Sequence, residues 1–209
     1  MLRYWNMKKL LGIVILSLCF ITSSQSEDIR DFQMEGMSIG DSLLDYFSRN
    51  EIESHLEQKD LYKSFNTTTF SSARSKKFES KLKTYNFMQV EVRRDDKNYP
   101  IIAMDAANIE MENENFDMNN CIKEAKKVVN EFKKMFGKST KYQYDKMKKH
   151  KGDKSGKSIT DSHFFIFKDN SFVNVGCNDW SEEVGWFDRL FISLVSKEMH
   201  EILDLAAQQ

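Results

Sequence analysis

The densest group of chemically active side chains is a run of lysines between residues 138 and 157. Eight ammonium groups lie in this stretch, with Tyr142 and Tyr144 between them. Such a charge imbalance attracts phosphorylated lipid headgroups or another anionic partner. The same lysines also fit a solvated surface loop, and both interpretations stay open. The residues that we predict for anion binding are Lys146, Lys148, Lys149, Lys151 and Lys154.

Two short strings resemble sequence blocks of the GDSL hydrolases. Residues 40–43 match the nucleophile block of that family, and residues 176–179 match its later G-x-N-D block. The resemblance implies a serine esterase in which the Ser42 hydroxyl is the nucleophile. It also implies that Asn178, together with the backbone near Gly40, stabilises the tetrahedral oxyanion.

Two features of the chain conflict with that chemistry. Residues 28–35 are too charged for the buried parallel strand that precedes the nucleophile in such hydrolases. The closing D-x-x-H block is also missing, because Lys197 stands where the aspartate before His200 should be. Ser42 therefore lacks a histidine base. We expect a protein without a catalytic centre and keep the esterase as the alternative.

Phosphate loops, metals and nucleic acids are not indicated either. Residues 152–158 imitate a phosphate-binding loop, but the first glycine is one position too close to Gly156, and a strand is predicted where a helix should follow. The four histidines fall at unrelated spacings, so we predict no metal site and no cofactor. No motif supports nucleic-acid binding, and the formal net charge is −1.

The N-terminus determines the compartment that we expect. Three cations precede an apolar run over residues 10–21, and a serine-rich exit follows. This pattern is typical of a secretory signal peptide, here with cleavage near Ser26. The run is shorter than the roughly 20 residues of a membrane-spanning helix. We therefore expect a periplasmic or secreted protein that begins near Glu27, with an uncleaved, membrane-tethered form as the alternative.

The cysteines agree with an oxidising compartment. Cys19 lies inside the predicted signal, which leaves Cys121 and Cys177 in the mature chain. Two cysteines allow only one intramolecular pairing, so we predict a disulfide between them. A reactive thiol is the alternative.

The fold that must position these residues is predicted to be of the α+β class. Apolar alternation predicts hairpins over residues 85–111 and 163–177 and a fifth strand over residues 190–195. An apolar stripe predicts a helix that ends at Gly137, and Ser196 begins a closing helix. This order predicts an antiparallel sheet of about five strands with helices packed on one face.

Three parts of the chain are predicted from these elements. Residues 1–26 form the signal, residues 27–80 form an N-terminal helical arm and linker, and residues 81–209 form the α+β domain. A capping box between Ser48 and Glu51 begins a short helix within the arm. Two stretches without periodicity, residues 61–78 and 138–157, are predicted as exposed loops.

Several segments resemble an uncharacterised family of short exported proteins from small-genome marine alphaproteobacteria. The resemblance rests on residues 35–48, the helix-opening Cys121, the turn at residues 153–158, and Cys177 with residues 179–180 after it. It covers most of the mature chain and implies export and the cysteine pair, but no activity. The sequence thus predicts an exported, non-enzymatic binding or envelope-support domain, whose partner is an envelope protein or an anionic lipid headgroup.

Overall fold

The computed structural model describes residues 28–57, 67–71, 82, 85, 87–93, 95–107 and 116–206. The predicted signal peptide lies outside these residues, as does most of the linker between residues 58 and 80. The expectations for those two segments therefore stay predictions.

The described strands form one antiparallel sheet with the order β1-β2-β3-β4-β8-β7-β6-β5. They are β1 (Leu56–Glu57), β2 (Thr67–Ser71), β3 (Phe87–Arg93), β4 (Ile101–Ala107), β5 (Lys141–Lys149), β6 (Ile159–Ile166), β7 (Phe172–Asp179) and β8 (Arg189–Val195). The six strands β3 to β8 have seven to nine residues each, one strand more than predicted. The two shorter strands, β1 and β2, extend the sheet at the edge opposite to β5. The predicted α+β class is confirmed.

Three α-helices lie within the described residues: α1 (Arg49–His55), α2 (Met118–Phe136) and α3 (Lys197–Ala206). The predicted capping box at the start of α1 is present, since Ser48 and Glu51 exchange hydrogen bonds between side chain and backbone. Helix α2 ends at Gly137, whose φ of 51° favours glycine. The Ser196 hydroxyl accepts a hydrogen bond from the Met199 N–H at 3.1 Å and caps α3 as predicted.

The two longer helices pack on opposite faces of the sheet. Adjacent residues of a strand point to opposite faces, so Leu194 and Val195 of β8 face different sides. Leu194 belongs to the main core together with Phe132 of α2. Val195 instead packs with Met199 and Ile202 of α3. The expected packing of helices on one face is therefore replaced by one helix on each face, because β8 carries apolar residues on both.

The main core lies under α2 and includes the N-terminal segment. The rings of Phe132 and Phe136 lie 5.9 and 5.4 Å from the ring of Phe165 on β6. The same two rings lie 5.3 and 6.0 Å from the ring of Phe32. The buried apolar residues that the predicted arm contributes to this core are Ile29, Phe32, Met34, Met37, Ile39, Leu43, Phe47 and Ile52. The described part of the arm is thus packed into the domain.

Two segments that the sequence predicts as loops contain strands. Residues Thr67–Ser71 pair with β3, and Lys141–Lys149 pair with β6 as the last strand at one edge of the sheet. Almost every residue of β5 is exposed, so burial gives its sequence no apolar alternation. The lysine run is therefore an edge strand and the turn after it, in place of the predicted loop.

Candidate functional site

Ser42 has a structural role in this fold. Its hydroxyl donates a hydrogen bond of 2.6 Å to the carbonyl oxygen of Asn98 and accepts one of 3.3 Å from the Leu44 N–H. Its backbone forms an isolated bridge with Pro100, which directly precedes β4. Both partners of the hydroxyl are backbone groups, so Ser42 caps the 3₁₀ helix Leu43–Asp45 and fastens it to the sheet.

Asn178 lies at the other end of the sheet. It pairs with Arg189 at the first residue of β8, whereas the start of β4, next to Ser42, lies beside the last residues of β8. The seven residues of β8 span roughly 20 Å at the usual rise of a strand. The structure therefore does not bring Ser42 and Asn178 together as the hydrolase resemblance implies.

The predicted disulfide is present. Cys121 in the first turn of α2 bonds to Cys177 on β7, and their Cα atoms are 6.1 Å apart. Cys121 is 6% exposed and Cys177 is fully buried. The bond joins the main helix to an inner strand of the sheet.

The segment that imitates a phosphate loop is a turn closed by its own carboxylate. The Oδ1 atom of Asp153 accepts a hydrogen bond of 2.8 Å from the Ser155 N–H. Its Oδ2 atom accepts from the N–H and hydroxyl of Ser158 at 2.8 and 2.6 Å, and from the hydroxyls of Ser155 and Ser181 at 2.9 and 3.2 Å. The Ser158 hydrogen bonds, with those of Ser155, hold the pKa of Asp153 well below its usual range. The Ser155 and Ser158 donors of this turn are thus already bonded to a side-chain carboxylate.

Asp153 also ties this turn to the connection between β7 and β8. Besides the Ser181 hydroxyl bond to Asp153, the Ser181 N–H donates to the Ser158 hydroxyl at 2.9 Å.

The ring of Trp180 packs 4.3 Å from the ring of His150 and 4.5 Å from that of Trp186. Burial lowers the pKa of His150, so the imidazole is neutral at neutral pH and packs as an aromatic ring.

Large apolar side chains are exposed at this same end. Trp186 is 60% exposed, and Phe187 and Met147 are each 46% exposed. Gly185, with a φ of 69°, makes the turn that leads into Trp186. Exposed aromatics of this size on an otherwise charged surface are typical of interaction sites.

Most of the predicted anion-binding lysines lie at this same end of the sheet. Strand β5 ends beside the start of β6 and the end of β7, because Lys149 pairs with Ile159 and Ile159 pairs with Asp179. Lys148 forms an ion pair of 2.9 Å with Asp145. The other predicted lysines form no ion pair with any described residue: Lys146, Lys149, Lys151 and Lys154. We call these five lysines, with Met147, Trp186 and Phe187, the basic end of the sheet.

The described residues show neither a metal site nor a membrane-spanning helix, and comparisons with known proteins suggest no function. No group of three or more histidine, cysteine, aspartate or glutamate residues there is arranged to hold a metal ion. Within the same part of the chain, no helix has the length and apolarity needed to cross a membrane. Comparison of the chain with protein-family models, with curated proteins and with solved structures finds no match. The geometry of the molecule is therefore the basis for assigning a function.

Proposed function

We propose that this protein is an exported domain that binds anionic lipid headgroups at a membrane surface through the basic end of its sheet. The observation that carries the proposal is the position of Trp186 and Phe187, exposed at the same end of the sheet as lysines without ion-pair partners among the described residues. Signal cleavage near Ser26 would release it into the periplasm or the medium. The disulfide and the resemblance to an exported family support that location.

The two kinds of side chain suit the two layers of a membrane interface. A lysine near an anionic leaflet contributes about 1 kcal/mol of attraction, which salt screens within a Debye length. Tryptophan and phenylalanine bury their rings at the boundary between headgroups and acyl chains. Lys149 and Lys151 can contact phosphates while Trp186 enters the interface.

A rigid arrangement of the basic end favours binding, because its side chains then lose little conformational entropy when they contact the membrane. Asp153 joins the turn after β5 to the segment before Trp186 through its hydrogen bonds with Ser158 and Ser181. Lys157 and Glu183 form an ion pair that links the same two segments. Preorganised groups lose less conformational entropy when they bind, so the side chains of the basic end are presented together.

The test is sedimentation with lipid vesicles, made either of phosphatidylglycerol and phosphatidylcholine in equal parts or of phosphatidylcholine alone. The test variant replaces Lys148, Lys149 and Lys151 by glutamate. The control variant makes the same charge change at three exposed lysines at the opposite end of the sheet: Lys97, Lys138 and Lys168.

We expect the wild type to sediment with the anionic vesicles and to be released by salt. The test variant should lose at least about a hundredfold in affinity, the equivalent of about three lysine contacts. The control variant should stay close to the wild type. Equal losses in the two variants would show that net charge alone drives the association, and an unchanged test variant would overturn the proposal.

A further inference from the structure

A second polar cluster lies at the edge of the sheet, on the face that α2 covers. Asp161 and His163 of β6 are two residues apart and so share a face. Their side chains are 1% and 3% exposed. Ionisable groups this deeply buried are rare unless they are paired or functional. The proposed lipid-binding end uses neither of them.

Two tyrosines of β5 complete the cluster. The Tyr142 hydroxyl lies 2.7 Å from Nδ1 of His163. Tyr144 stacks on the imidazole with ring centroids 4.2 Å apart and planes 1° from parallel. Its hydroxyl donates a hydrogen bond of 2.9 Å to Oδ2 of Asp161. Tyr144 thus holds both buried residues in place, while Tyr142 contacts only the histidine among them.

The backbone is strained where it meets the carboxylate. Met147 has a φ of 46°, a region that residues other than glycine rarely adopt, and it lies at the irregularity in the pairing of β5 with β6. This conformation directs its N–H to Oδ2 of Asp161 at 3.2 Å. Such strain is concentrated at functional sites. Oδ2 of Asp161 is therefore fixed by two donors.

The remaining polar atoms of the pair lie near each other. Oδ1 of Asp161 and Nε2 of His163 are buried without any hydrogen-bond partner among the described residues, and they are 3.5 Å apart. A proton on Nε2 would be attracted to this carboxylate, although the separation is too long for a hydrogen bond. We assign that tautomer to His163, because Nδ1 is then free to accept the proton of the Tyr142 hydroxyl.

The charge environment keeps the histidine able to act as a base. Burial lowers the pKa of His163; the nearby lysines Lys126 and Lys133 lower it further, and Asp161 opposes them. The imidazole is therefore neutral at neutral pH. The ammonium of Lys133 lies 4.0 Å from the centre of the Tyr142 ring and makes a cation–π contact with its face. Burial, with the nearby Asp161, raises the pKa of Tyr142, so its phenol stays protonated at neutral pH and needs a base to lose its proton.

We propose that Tyr142 is a nucleophile, activated by His163 and Asp161, that accepts acyl groups from esters. The Tyr142 oxygen would attack the carbonyl carbon of the ester while Nδ1 of His163 takes the phenol proton. The bond to the leaving alkoxide then breaks, and the imidazolium returns the proton to that alkoxide. A water molecule, deprotonated by the same histidine, hydrolyses the tyrosyl ester and restores the site. The net reaction is hydrolysis of an ester, an activity that the sequence did not predict at this site.

Tyr142 and Tyr144 provide a control within one molecule, because both are 37% exposed and lie on the same strand. The exported, disulfide-bonded protein is treated with p-nitrophenyl acetate. Release of nitrophenolate is followed by absorbance, and acetylated tyrosines are located by peptide mass spectrometry. The Tyr142→Phe, Asp161→Asn and His163→Gln variants are treated in parallel, with circular dichroism as a check of folding.

We expect acetylation at Tyr142 to exceed that at Tyr144 by about a hundredfold, the lower end of what general-base catalysis contributes. Asp161→Asn and His163→Gln should reduce that ratio toward one, and Tyr142→Phe should abolish the burst of nitrophenolate. The wild-type rate should rise with pH as His163 loses its proton and then level off. Equal acetylation of the two tyrosines in the wild type would overturn the proposal, even if a variant failed to fold. The proposal would also be overturned by a rate of Tyr142 acetylation that rises only as an ordinary phenol ionises, at about pH 10.

Discussion

Removal of the disulfide tests how firmly helix α2 depends on its covalent link to the sheet. The variant replaces both Cys121 and Cys177 by alanine, because serine would place hydroxyl groups in the buried sites. The bond closes a loop between residues 56 positions apart. On the chain-entropy model, a loop of this length destabilises the unfolded state by about 4 kcal/mol. We therefore expect the free energy of unfolding to fall by about that amount, a large part of the roughly 5–15 kcal/mol typical of a domain.

The assay is urea unfolding followed by tryptophan fluorescence, with the oxidised wild type as reference. The reduced wild type is the control, since it lacks the bond but keeps both sulfur atoms. Both cysteines are buried, so reduction should be slow without denaturant. The variant and the reduced protein should show similar midpoints. A loss below about 1 kcal/mol in the variant would refute the reasoning, because the loop would then not constrain the unfolded chain.

Two further predictions concern single positions. A Cβ atom at Gly176 would lie 2.7 Å from the carbonyl oxygen of Asp161 and 2.7 Å from the Phe191 ring. Gly176→Ala should therefore lower the free energy of unfolding by about 1–3 kcal/mol in urea titrations, and an unchanged midpoint would contradict the packing. The lowered pKa of Asp153 means that its carboxylate stabilises the fold above the ordinary value of about 3.9, and that this stability is lost as the pH falls further. Asp153→Asn should thus be less stable at neutral pH and lose less on acidification; parallel pH profiles of the two proteins would refute this role.

The sequence predicts best the elements whose burial pattern is local. Helix α2 is predicted because one stripe of its residues is buried, and the hairpin of β6 and β7 because apolar residues alternate. Strand β5 is missed because nearly all of its residues are exposed, so no buried apolar alternation marks it, and its pairing with β6 involves distant residues. The packing of Phe32 against α2 also joins residues that are far apart in the sequence. The sequence pattern therefore does not show that the predicted arm is part of the core.

The difference between local patterns and non-local pairings also explains which site residues the sequence could indicate. The lysines of the basic end are evident from composition, but their position beside Trp186 depends on which strands end together. The pairs Tyr142 with Tyr144, and Asp161 with His163, have a spacing of two residues that places each pair on one face of a strand. That spacing is the only local signal of the buried cluster. It becomes meaningful only once β5 is known to pair with β6.

The position of Trp186 relative to the lipid tests the proposed binding most directly. Trp180→Phe leaves Trp186 as the single tryptophan after residue 27. The fluorescence of this variant is recorded with anionic vesicles whose acyl chains carry bromine and with vesicles of phosphatidylcholine alone. Insertion of the basic end predicts a blue shift and bromine quenching with the anionic vesicles only. An emission unchanged by anionic vesicles, in a variant that remains folded, would contradict the account.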